Sequence, residues 1–170
     1  MSLVVEDGTG RVDAESYASV ADADSYWSLH GSPSSWSAAS TSAKEGALRA
    51  AADYADRVYG GRFQGCRVYS TQRLAWPRAA VEVDGYTLPI APLPRLLTEA
   101  AIELAGRHIT ETGGLTPDVA DPSRVTAEAV EVGSVKQSVT YAGAKSAYKR
   151  FTAVELLLRP LLAAREVERS

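Results

Sequence analysis

The chain has 170 residues, 45% hydrophobic and 23% charged, which sets the expectation of one domain burying about two-thirds of the surface its unfolded chain would expose. A single cysteine, Cys66, excludes an internal disulfide framework and a cysteine-based zinc site within one chain. The net charge of −3 speaks against a generic polyanion binder, and no stretch approaches the ~18 apolar residues that span a bilayer, so a soluble chain without a signal peptide or membrane partner is expected.

In chain order, the first helix is predicted in "SVADADSYWSLHG". Ser19 is the N-cap, Asp22 and Asp24 favour the positive end of the helix dipole, and Gly31 closes the C-terminus. Ala23, Tyr26, Trp27 and His30 recur at helical spacing. A serine-rich connector follows, with Trp36 as its anchor. The second, longer helix starts at the capping box Ser42-x-x-Glu45, or at Ser40 or Thr41, and stops at Gly60-Gly61. Its stripe of Ala47, Leu48, Ala51, Ala55 and Val58 suits close approach of a neighbouring helix.

Arg62 to Tyr86 reads as irregular, because Pro77 forbids a continuous helix. Pro94 opens the third helix, whose apolar face is Leu96, Leu97, Ala100, Ala101, Leu104 and His108, and Gly113-Gly114 ends it. "LTPDVADPS" is a loop by composition, and period-two alternation on both sides of Gly133-Ser134 predicts a β-hairpin over residues 125–142. A last helix begins at Phe151, with Val154, Leu157, Leu158, Leu161 and Leu162 inward and a kink at Pro160, and frays into an extended tail over 163–170. The expected fold is mainly α: a small bundle of about four helices with one hairpin insertion and a C-terminal helix or tail.

Charge is unevenly placed. Residues 1–56 hold nine acids against three bases, a balance of −6, whereas residues 57–78 hold Arg57, Arg62, Arg67, Arg73 and Arg78 and no acid. Tyr59, Phe63, Tyr69 and Trp76 interleave with those arginines, the combination that single-strand binding uses: rings for bases and cations for phosphates. The competing readings are salt bridges to a neighbouring subunit or partner, Arg57 pairing with Asp53 one turn away, and Trp76-Pro77 as a core plug. Within "QRLAWPR", Leu74, Trp76 and Pro77 are expected to anchor the segment, and Arg73 and Arg78 to point outward to a neighbour or to DNA. The alternative is an intramolecular staple with both arginines paired to acids of the first two helices.

Enzyme signals are weak, and no catalytic residue, cofactor or metal is assigned. His30 and His108 fall at core-facing or helix-end positions, and "DGTGRVDAE" completes neither a dinucleotide fingerprint nor a calcium loop. Cys66 sits among arginines, but no oxyanion motif accompanies it as a nucleophile.

The segments "VEDGTG", "DAESYASVADADSYW", "KEGALRAAADYAD", "QRLAWPR", "PRLLTEAAIELA" and "FTAVELLLRPLL" resemble, in this order, a family of small proteins of tailed bacteriophages and prophages. Its members are often labelled DnaT-like single-stranded-DNA-binding proteins, and they look like head–tail connector, or adaptor, proteins. The resemblance implies a non-enzymatic virion protein: one adaptor domain over residues 1–170, assembling head to tail as a ring of about twelve copies. It implies the portal protein above, a stopper or tail-completion protein below, and double-stranded DNA passing through the ring. The place implied is the neck of the virion, after assembly in the host cytoplasm. It also implies portal docking by the C-terminal segment, with Leu157, Leu158, Leu161, Leu162, Arg165 and Arg169 as contacts, and it leaves the five arginines facing a neighbour or the channel. The alternative carried by the family label is a single-stranded-DNA-binding protein acting in phage DNA replication.

Overall fold

Two packed helices, α3 (Thr41–Tyr59) and α4 (Arg95–Thr110), carry the core of the computed structural model, which describes residues 2–111, 114–115, 125–131, 136–141 and 151–163. Ala47, Leu48, Ala51, Ala52 and Ala55 of α3 and Leu97, Ala100, Ala101, Leu104 and Ala105 of α4 are all buried. Small side chains on both surfaces let the helices approach closely, as the alanine stripe predicts. Ser40 is the cap of α3, its hydroxyl accepting from the Ala43 amide at 3.2 Å, so the helix starts at the earlier of the expected positions.

The first helix, α1 (Val20–His30), has the full capping box: Ser19 accepts from the Asp22 amide, and the Asp22 carboxylate accepts from the Ser19 amide. Trp27 of α1 lies against α4 at Gly106, where a Cβ would come within 2.6 Å of the indole. His30, expected on the apolar face, is exposed and stacks on Tyr26 at 4.1 Å. The serine-rich connector contains a short helix, α2 (Ser34–Ala38), because its one large apolar residue, Trp36, is fully buried and turns the chain around itself. The Trp36 indole donates to Asp24 at 2.8 Å.

Four two-residue strands punctuate the stretch expected to be irregular: β1 (Cys66–Arg67) pairs with β2 (Arg78–Ala79), and β3 (Glu82–Val83) with β4 (Tyr86–Thr87), both antiparallel. The predicted hairpin is present as β5 (Val125–Glu131) against β6 (Lys136–Tyr141), running from the Glu131–Lys136 pair to the Val125–Tyr141 pair. The predicted loop after Leu115 lies outside the described residues.

The last helix, α5 (Thr152–Leu158), is shorter than expected. At Pro160 the chain tightens into a 3₁₀ turn, Arg159–Leu161, since proline cannot donate to the preceding turn. Val154, Leu158 and Leu161 are buried, while Leu157 and Leu162 are partly buried against the same core. Residues 164–170, with Arg165 and Arg169, lie outside the described residues. The chain is a mainly α bundle with one longer hairpin, as its patterning predicts.

Candidate nucleic-acid interface

The acid-free stretch begins on the last turn of α3, passes through a 3₁₀ turn (Gly60–Arg62), and becomes an arm that leaves at Phe63 and returns at Arg78. Four anchors hold this arm to the bundle.

The first is Asp56 on α3. Its carboxylate accepts from the Ala75 amide at 2.8 Å and from the Tyr17 hydroxyl; the same hydroxyl oxygen accepts from the Trp76 amide at 3.4 Å. Burial pushes the Asp56 carboxyl above its ordinary value, against the pull of these hydrogen bonds. Burial, and then the Asp56 charge, pushes the Tyr17 phenol well above its own.

The second anchor is apolar. Leu74, Ala75, Trp76 and Pro77 are buried, and the Trp76 ring meets Phe63 edge-on at 5.7 Å. The third is Gln72, 3% exposed, which accepts from the Tyr69 amide at 2.9 Å and donates to the carbonyls of Leu74 at 2.9 Å and Pro77 at 3.1 Å. A buried amide with every close partner inside one loop fixes the shape of that loop.

The fourth anchor corrects an expectation. Arg78 does not point outward, and it does not pair with an acid. Its guanidinium donates to the carbonyls of Gln64 at 2.6 Å, Gly65 at 2.7 Å, Ala75 at 3.3 Å and Phe63 at 3.4 Å. The reason is geometric: where the arm crosses its own root, four carbonyls converge, and only a planar fork of donors meets them together. Partial burial lowers the Arg78 pKa from its ordinary value.

The other four arginines of the run are exposed. Arg57 keeps an ion pair with Asp53 at 3.6 Å, and the Arg62 guanidinium lies 5.8 Å from the Tyr59 ring centroid. Arg67 donates to the carbonyls of Arg73 and Leu74 at 3.1 and 2.8 Å. Arg73 is exposed near Glu15, whose carboxyl it helps the Val4 amide and Arg49 hold below the ordinary carboxylate value.

The aromatics sort differently from the interleaved pattern. Tyr59, Phe63 and Trp76 are core residues, so they offer no face to a base. Tyr69 alone among the four is open, 51% exposed, its ring resting on Gly10 of the N-terminal loop. That loop is itself rigid: the Glu6 carboxylate, nearly fully buried, accepts from the amides of Gly8 at 2.9 Å, Gly10 at 2.8 Å and Arg11 at 2.9 Å. Its amides are therefore committed to Glu6 rather than to a phosphate or a cation.

Asp56, Tyr17, Gln72 and Glu6 have no role in the sequence reading. Asp56 left one signal: an acid in the last turn of a helix opposes the dipole there, which calls for a partner elsewhere. Among the described residues, no group of three His, Cys, Asp or Glu side chains is placed to hold a metal, and no helix is long and apolar enough to cross a membrane.

The model of the family described as "Putative DnaT-like ssDNA binding protein" matches residues 1–170. The chain belongs to this family. No curated protein and no solved structure matches it.

The match corrects the expectation of a head–tail connector. The family's description names single-stranded-DNA binding, which was the alternative, and nothing in the comparisons supports an adaptor ring in a virion neck. Of the residues expected to dock on a portal, Leu158 and Leu161 are buried in the chain's own core, Leu157 and Leu162 pack against it, and Arg165 and Arg169 lie outside the described residues.

Proposed function

We propose that this protein binds single-stranded DNA along the arm of residues 62–78, without base-specific readout. The observation that carries the reading is the sorting of the acid-free stretch: three of its aromatics are core and Arg78 is tied to the arm's own carbonyls, while Arg62, Arg67, Arg73 and the ring of Tyr69 remain exposed. Guanidiniums along an extended segment track a phosphate backbone, and one open ring gives a base a stacking face that every base can use. The family's description supports the same ligand.

The overall balance of −3 keeps the contact local, because residues 1–56 carry a balance of −6 and repel a strand laid there. Affinity therefore depends on phosphate neutralisation and falls with salt, with a log–log slope of about −2 to −3 for three or four phosphate contacts on a single strand.

Fluorescence anisotropy of a labelled oligo-dT, titrated across a salt series, tests this. Tyr69→Ala is expected to cost about 1–3 kcal/mol of binding. Arg73→Ala is expected to weaken binding and to flatten the slope by about 0.7. Both side chains are exposed, so the fold survives either change. Absence of saturable binding at low salt, or binding indifferent to both changes, overturns the proposal.

A further inference from the structure

A second feature of the surface lies where α5 ends against the root of the arm. Gln64 stitches the two together: its amide donates to the Leu161 carbonyl at 3.0 Å, and its side chain donates to the Pro160 carbonyl at 2.9 Å and the Leu162 carbonyl at 3.4 Å. One residue pair further out, the Ala163 amide donates to the Arg62 carbonyl at 2.7 Å. Beside this seam runs a groove of about 270 Å³, lined by Arg62, Thr152, Glu155, Leu156, Arg159 and Leu162.

Its chemistry is specific. Arg62 and Arg159 are exposed and come from opposite sides of the seam, so two cationic side chains line one space. With Glu155 also in the lining, the groove carries a balance of +1. Thr152 adds a hydroxyl. Leu156, 62% exposed, and Leu162 supply an apolar floor. Two arginines lining one groove repel a metal cation and suit an anion with several acceptor oxygens. The volume is just below that of ordinary small-ligand pockets, which is room for one phosphate with part of a flanking sugar and base. Arg62 belongs at once to this groove and to the arm, five residues before Arg67, so a strand lying on the arm reaches the groove without a break.

We infer that this groove is a second anchor of the single-stranded DNA site, holding one phosphate between Arg62 and Arg159 with the adjoining nucleoside on Leu156. The inference rests on the function proposed above. It adds Arg159, Thr152 and Leu156, which lie far from the arm in sequence, and it gives the bound strand a defined path from the tip at Tyr69 to the end of α5.

The test uses the full chain and the same labelled oligo-dT. The double variant Arg62→Ala/Arg159→Ala is expected to lose on the order of tenfold in affinity at low salt and to flatten the salt slope by about 1.4, the share of two phosphate contacts. Leu156→Ser is expected to lose severalfold in affinity with the slope unchanged, since it removes an apolar contact and no charge. Both outcomes together support the groove. If the wild type binds and Tyr69→Ala and Arg73→Ala weaken it while Leu156→Ser and a single Arg159→Ala change nothing, the groove is overturned and the arm stands, with Arg62 counted to the arm alone. If the wild type does not bind, both fall.

Discussion

Asp56→Ala is the sharpest perturbation of the arm. In the native protein this carboxylate accepts from the Ala75 amide at 2.8 Å and from the Tyr17 hydroxyl, and the Tyr17 oxygen in turn accepts from Trp76. Truncation strands two donors next to Trp76, which is 1% exposed, where water cannot readily replace the lost acceptor. A buried donor left without a partner costs about 1–3 kcal/mol, so the pair costs about 2–5 kcal/mol, partly offset by no longer burying a carboxylate. Against a total stability of about 5–15 kcal/mol this is a large loss. In urea, with a slope of ~2–3 kcal/mol per molar, the midpoint falls by about 1 M or more. Asp56→Asn keeps one acceptor oxygen and should lose roughly half as much. Urea titration followed by tryptophan emission gives the magnitude, and amide exchange at Ala75 and Trp76 gives the location. An Asp56→Ala protein within ~0.5 kcal/mol of wild type, with both amides still protected, would refute the reasoning.

Other consequences follow from the same network. The raised Asp56 pKa fixes a sign: the folded state holds this proton more tightly than the unfolded chain, so its contribution is full below the ordinary value of 3.8 and is lost as pH rises through the folded value. The stability advantage of wild type over Asp56→Asn should therefore grow as pH falls toward 4, in paired urea titrations. Tyr17 and Tyr26 both sit above the ordinary phenol value of 10.0, Tyr17 through burial and Asp56, Tyr26 through burial and its bond to Glu103. Stability should be untouched by them below pH 10 and fall above it, and tyrosinate absorbance should show Tyr17 and Tyr26 un-ionised until the protein unfolds. Gly65→Ala places a Cβ at φ +65° against the Ala79 carbonyl oxygen, so thermal unfolding should report a loss of at least about 2 kcal/mol. Arg78→Lys replaces a fork on four carbonyls by a single ammonium and should cost about 1–3 kcal/mol while leaving the salt slope of oligonucleotide binding unchanged.

Signals within a few residues of one another read directly. The Ser19 cap, Pro94 before α4 and the alternation behind β5 and β6 each act inside one element, so the sequence places them, and Ser40 is one of the three starts it offers for α3. The alanine faces of α3 and α4 read equally well, since helical period and small volume together imply close packing. Of the arm, the expected anchors Leu74, Trp76 and Pro77 are buried, but its polar ties did not read, because they are remote: Asp56 meets Ala75 across 19 residues, and Tyr17 meets Trp76 across 59. Such pairings leave no period. Nor does spacing tell an inward ring from an outward one outside regular elements. Tyr59 and Phe63 face the core across the end of α3, Trp76 follows them through its contact with Phe63, and Tyr69 at the far end of the arm stays open. Pro160, likewise, was legible as an interruption, but the chain's turn back onto Gln64 depends on hydrogen bonds that span almost 100 residues.

The division of labour among the arginines is what turns a run of like charge into a site. Five guanidiniums in 22 residues with no intervening acid would repel one another on a bare loop, so the stretch needs internal acceptors before it can present any charge outward. Carbonyl oxygens provide them: Arg78 takes four and Arg67 takes two, which rigidifies the arm. Asp53 takes a share of Arg57. Arg62 and Arg73 are then held exposed at the two ends of an arm whose shape is already fixed, with the partly engaged Arg67 between them. The salt slope measures this partition. Five equivalent contacts would give about −3.5, whereas Arg62, Arg67 and Arg73 alone give about −2, and Arg159 in the groove brings the value to about −2.8. A slope near −3.5 that drops by about 0.7 on Arg78→Gln, which removes the charge, would mean that the arm opens when DNA binds and releases Arg78 to the strand. A slope between −2 and −3 that ignores Arg78→Gln means that the arm binds as it stands, with its most buried arginine committed to folding and its exposed ones to the ligand.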